Sequence, residues 1–130
     1  MSDMTLTLGQ VMQRLYDVHQ LMDAAQQQLR LARDAEVEAK AALRLASARA
    51  ITDADCPRPK RGENGVTVAD RDAWVDLKVH PEWLAAEQAE AVTEAMKDNL
   101  RVVRDQASTV QSMSALMRAE MQLTQTPGAP

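Results

Sequence analysis

Phenylalanine is absent from this chain of 130 residues, and Tyr16, Trp74 and Trp83 are its only aromatic side chains apart from two histidines. Large aromatics dominate the cores of compact domains. A chain without them, yet 45% apolar, has to bury alanine, leucine, valine and methionine, which suits thin seams between closely approaching helices. Glycine (4) and proline (5) are also scarce, and nearly all of them fall in residues 57–65 and at the C-terminal end. The single cysteine, Cys56, cannot form an intrachain disulfide, which points to a reducing compartment. The N-terminal stretch MSDMTLTLGQ lacks the basic start and apolar run of a signal peptide. No segment approaches the roughly 20 apolar residues of a membrane span. These absences lead us to expect a cytoplasmic protein. The formal net charge of −4 is mild and lacks the basic bias of a non-specific nucleic-acid binder.

What is abundant are good helix formers, namely Ala, Leu, Met, Gln, Glu, Arg and Lys. Thr7 with Gln10 fits a capping box, and Leu6 with Val11 a hydrophobic staple. From there Leu8, Val11, Leu15, Val18, Met22, Ala25, Leu29 and Ala32 follow alternating steps of three and four, a heptad seam with Gln, Asp and Arg on the other faces. The strict pattern is interrupted at Glu36 and resumes as Ala39, Leu43, Ala46 and Ala50. Pro57 cannot continue a helix and biases Cys56 out of the α region. Helix one is therefore predicted over residues 7–54, about 70 Å at 1.5 Å per residue.

Residues 55–66 read as a loop with a basic cluster, Arg58, Lys60 and Arg61. Thr67 and Asp70 fit a second capping pair, with acid in the first turn where the helix dipole favours it. Val75, Leu77 and Val79 alternate with Asp76 and Lys78 as a strand would. A lone five-residue strand would have no partner in this chain, so helix is the better reading. A second helix is thus predicted over 67–124, kinked near His80 by Pro81, with a disordered tail at 125–130. Leu84, Val92, Met96, Leu100, Val103, Ala107, Val110, Met113, Met117 and Met121 are read as its apolar face. Together these segments predict an all-α chain: one helical domain, a long antiparallel hairpin, closing as a homodimer into a four-helix bundle or coiled coil because two helices bury only one face each.

No catalytic constellation emerges. His19 and His80 lie in different elements and neither has metal-ligand spacing. His19 reads as a surface residue and His80 as a kink or cap residue, while Cys56 has no implied histidine partner and reads as a plain loop thiol. No phosphate-binding or nucleophile-elbow motif is present. Neither metal nor cofactor is expected, and the chain reads as a non-enzyme. The methionines at 96, 113, 117 and 121 suit either gap-filling in a core or an adaptable docking face. Trp74 and Trp83, which flank the proline, are the most informative local feature. They read either as a plug between kinked segment and helix one or as hot-spot anchors for a protein partner. Arg58, Lys60 and Arg61 are candidate secondary contacts. An alternative is nucleic-acid binding through these and the basic half of helix one, although acids interrupt that stretch and no aromatics are interleaved to stack bases.

From the loop onward the residues GVTVADRDAWVDLKV and AEQAEAVTEAMKDNLRVVRDQASTVQSMSALMRAEM resemble a group of short, alanine-rich helical proteins of bacteriophages and prophages. The matching positions are Gly65, Thr67, Val68, Ala69 and Arg71, and the terminal Arg118–Ala119–Glu120–Met121. The likeness spans about residues 65–121 and is weaker in helix one. The segment CPRPKRGEN departs from the tighter turn of that group, so no loop function carries over. The resemblance implies a phage-encoded accessory protein in a recombination, replication or early host-takeover setting; an assembly chaperone of the virion is a further alternative. It implies no catalytic residue.

Overall fold

The computed structural model describes residues 7–60 and 65–125. The fold is all-α, in three helices: α1 (Leu8–Ile51), α2 (Val68–Lys78) and α3 (His80–Gln125). The start of α1 is the capping box expected of Thr7 and Gln10. The Gln10 amide donates to Thr7 Oγ1 at 3.2 Å, and the Thr7 amide to Gln10 Oε1 at 2.9 Å. Leu6 of the predicted staple lies outside the described residues, as does the tail beyond residue 125. Thr67 and Asp70 form the same reciprocal pair at the start of α2. Residues 68–78 are therefore helix, not strand.

Helix α1 stops at Ile51, three residues before the predicted Ala54, and local polar side chains explain the difference. Thr52 Oγ1 donates back to the carbonyls of Ala48 and Arg49. Asp53 Oδ1 accepts the Asp55 amide at 2.9 Å, offering the backbone an alternative to the helical ladder. Before α2, Gly65 takes a positive φ of 67°, a left-handed conformation that costs glycine little. The predicted kinked helix is two helices, separated at Val79. Pro81 has no amide to donate to the Leu77 carbonyl, while the bonds on either side of the gap are kept: the Val79 amide donates to the Val75 carbonyl and the Trp83 amide to the Val79 carbonyl, both at 2.9 Å.

The chain divides into two compact units, Met1–Leu29 with Met96–Pro130, and Arg30–Ala95. In the first, Val18 packs with Ala107 and Val110, and Ala25 and Leu29 pack with Leu100 and Val103. Residue numbers rise on α1 as they fall on α3, so the two segments are antiparallel. The core is a thin seam; Ala25 is only 1% exposed. In the second unit Ala50 packs with Cys56, Val75 and Val79. Thr93 Oγ1 donates to the carbonyl of Ala32 at 3.3 Å and of Ala89 at 3.1 Å, again an antiparallel pairing.

Burial corrects the seam in four places. Val11, Val18, Leu29, Leu100, Val103 and Val110 are buried as expected, and Leu15, Met22, Met96, Met117 and Met121 are half-buried. Leu8 is 44% exposed; it stands on the first turn beside an open groove shared with Met117 and Met121. Leu84 and Val92 are exposed, and the buried face N-terminal to Met96 is carried instead by Val79, Glu82, Ala86, Ala89 and Thr93. The three-and-four spacing passes through Glu36 without a change of register. Its side chain is 19% exposed and ion-paired with Lys40 at 3.7 Å, so the interruption is one of residue type only. Cys56, expected as a plain loop thiol, is buried in the second unit's core.

Candidate functional site

The two tryptophans part company. Trp74 is half-buried, packs against the core of Ala50, Cys56, Val75 and Val79, and has Lys78 Nζ 5.8 Å from its ring centroid. It serves as the structural plug, with an exposed cation over its face. Trp83 is 45% exposed and borders an open cleft of about 560 Å³ lined also by Leu43, Ser47, Asp76, Val79 and His80. All of these belong to the second unit.

Asp76 lies one turn before His80 and Trp83 one turn after it, so the three share one face across the α2–α3 junction. The His80 and Trp83 rings stack with centroids 5.6 Å apart and planes 25° apart, which holds the indole upright beside an apolar floor of Leu43 and Val79. The rim is polar, with a carboxylate (Asp76), a hydroxyl (Ser47) and an imidazole. An apolar floor, a rigid exposed aromatic and a few convergent polar groups are the ingredients of a binding hot spot.

The loop basics do not join it. Arg58 and Lys60 are exposed. Arg58 instead lines a separate depression of about 310 Å³ with Ile51, Thr52, Cys56, Pro57, Pro59 and Arg71. Arg61 lies outside the described residues. Sequence reasoning missed Asp76, Ser47 and Leu43 as companions of Trp83. Leu43 was legible as a seam position, but Ser47 and Asp76 become relevant only once the packing of α1 against α2 and α3 places them beside Trp83.

A second missed feature is Glu82, at a seam position in the first turn of α3. Its Oε2 is buried with no hydrogen-bond partner. Among the described residues no group of three His, Cys, Asp or Glu is placed to hold a metal ion, and no helix is long and apolar enough to cross a membrane. No family model, no curated protein and no solved structure matches this chain.

Proposed function

We propose that this chain is a non-enzymatic interaction protein that captures a protein partner in the Trp83 cleft. The observation that carries the reading is an exposed tryptophan, stacked on His80 over an apolar floor, in a chain that otherwise spends almost no aromatic residues. Leaving such a ring half in water forgoes burial worth about 1.5–3 kcal/mol for a large apolar side chain, a cost that occupancy by a partner would recover. The partner chemistry that fits is an apolar side chain for the floor, flanked by a donor for Asp76. A phage or host protein as that partner is part of this proposal. Trp74 is a positioning residue in this reading.

Trp83→Ala is expected to weaken capture at least about tenfold, as for a hot-spot residue, while far-UV circular dichroism is unchanged. The check is affinity capture from host lysate with the wild-type chain, Trp83→Ala and Trp74→Ala compared by quantitative mass spectrometry. An identical captured set for wild type and Trp83→Ala would remove the cleft from the account.

A further inference from the structure

The charges beside the seam of the second unit are sorted by helix. One position past each seam residue of α1 stand four cations, Arg30, Arg33, Lys40 and Arg44, with Val37, Ser47 and Ile51 completing the row and no acid in it. The equivalent row of α2 and α3 holds four carboxylates, Asp76, Glu87, Glu90 and Glu94, with His80 and Trp83 between them and no lysine or arginine. All eight ions are exposed. The rows one position before the seam differ. There the same stretches carry only Glu38, Arg49 and Lys78 as ions.

Both sorted rows lie on the side of the helix pair that holds the Trp83 cleft, because Ser47 of one row and Asp76, His80 and Trp83 of the other line that cleft together. Ala50 packs with Val75 and Val79, and Thr93 bonds to Ala32. This antiparallel register sets Arg44 level with His80 and Trp83, and Arg30 and Arg33 level with Glu90 and Glu94. From the cleft the furrow between the helices therefore runs on for about 26 Å, from residue 47 back to residue 30 of α1, with cations on one bank and carboxylates on the other. Arg33, Lys40 and Glu90 flank the seam itself, and Lys40 is paired with Glu36 of its own helix. Arg30, Arg44, Glu87 and Glu94 stand further out and border whatever lies above the furrow.

We infer that the occupant of the Trp83 cleft reaches it as a single amphipathic α-helix laid along this furrow, with an acidic flank against α1, a basic flank against α3 and an apolar side chain over Leu43 and Val79. This rests on the reading of the cleft as a partner site and names the partner's chemistry. Charge complementarity selects the occupant. Two banks of opposite sign are matched by a helix whose two flanks differ in sign, and a flank of the wrong sign sets like charges face to face. The basic flank also supplies the donor that Asp76 asks for. A polyanion such as nucleic acid would meet the α3 carboxylates along the whole furrow. A second copy of the chain fits worse than one helix. A two-fold axis parallel to the helices opposes cleft to cleft, so neither floor is filled, and an axis across them lays cation row on cation row.

The test is fluorescence anisotropy of the purified full chain with two labelled synthetic helices of identical composition, each about 20 residues and so a little longer than the furrow. Both carry leucine along one face. One has glutamate on one flank and lysine on the other; the second has the two mixed on both flanks. The sorted helix is expected to bind at least about tenfold tighter than the mixed one, with the preference shrinking from about 50 to 500 mM salt. Glu87→Lys combined with Glu94→Lys is expected to remove the preference at unchanged helicity. Equal binding of the two helices, binding of neither, or a preference that survives the double change overturns the inference. Trp83→Ala is expected to weaken both helices alike. If it does so without any preference between them, the flank assignment alone fails; if it weakens neither, the cleft reading itself fails. The double change is expected to leave sedimentation of the chain alone as in the wild type. A dimer lost through it would make a second copy the occupant and would also overturn the inference.

Discussion

Replacing Leu100 by alanine is expected to destabilise the chain by about 3 kcal/mol, within the range for truncating a buried leucine. Leu100 is 6% exposed and sits in the cluster of Ala25, Leu29 and Val103, with Met22 and Met96 packed alongside. Of the neighbours, Ala25 has nothing to move, Leu29 and Val103 are themselves buried in the seam, and Met22 and Met96 can adapt. Partial collapse onto Met96 argues for the middle of the range. In a chain of this size the loss corresponds to roughly 10 °C in Tm. Val37→Ala, which removes apolar atoms from exposed surface, is expected to stay within about 0.5 kcal/mol. Paired urea melts of the two variants check the contrast. Equal losses would mean that the seam is not where stability resides.

The second large effect runs in the opposite direction. Glu82→Leu is expected to stabilise the chain by about 1 kcal/mol. Two terms compete. Glu82 lies in the first turn of α3, where an acid gains about 0.3–1 kcal/mol from the helix dipole. Against this, its Oε2 is buried without a partner, a cost of about 1–3 kcal/mol for an unsatisfied polar group. The desolvation term is the larger, and leucine restores the apolar residue that the seam spacing calls for. A rise in Tm of a few degrees relative to wild type is the expected result. A fall would mean that the carboxylate is satisfied in solution.

These two residues also show what the amino-acid order reveals and what it hides. C-terminal to Met96 the α3 seam is built of Leu100, Val103 and Val110, and periodicity alone locates it. Between Val79 and Met96 the inward positions are Ala86 and Thr93, both buried, and Glu82 and Ala89, both half-buried, while Leu84 and Val92 lie outside. A pattern read by hydrophobicity follows the larger side chains to the wrong side, because helices that approach closely bury small residues. Both caps were legible because Thr–x–x–Gln and Thr–x–x–Asp are local chemistry. The division of labour between Trp74 and Trp83 was not, since it depends on which of them packs against Ala50 and Cys56.

The account rests on one phase assignment along α3, and thiol reactivity reads that phase directly. Single cysteines placed at each position from 99 to 110, in a Cys56→Ala background and in dilute solution, would be labelled with a small soluble reagent. Labelling rates are expected to fall to minima at 100, 103, 107 and 110 and to stay high at 102, 106 and 109. Minima at 102, 106 and 109 instead, or rates that show no period, would contradict it.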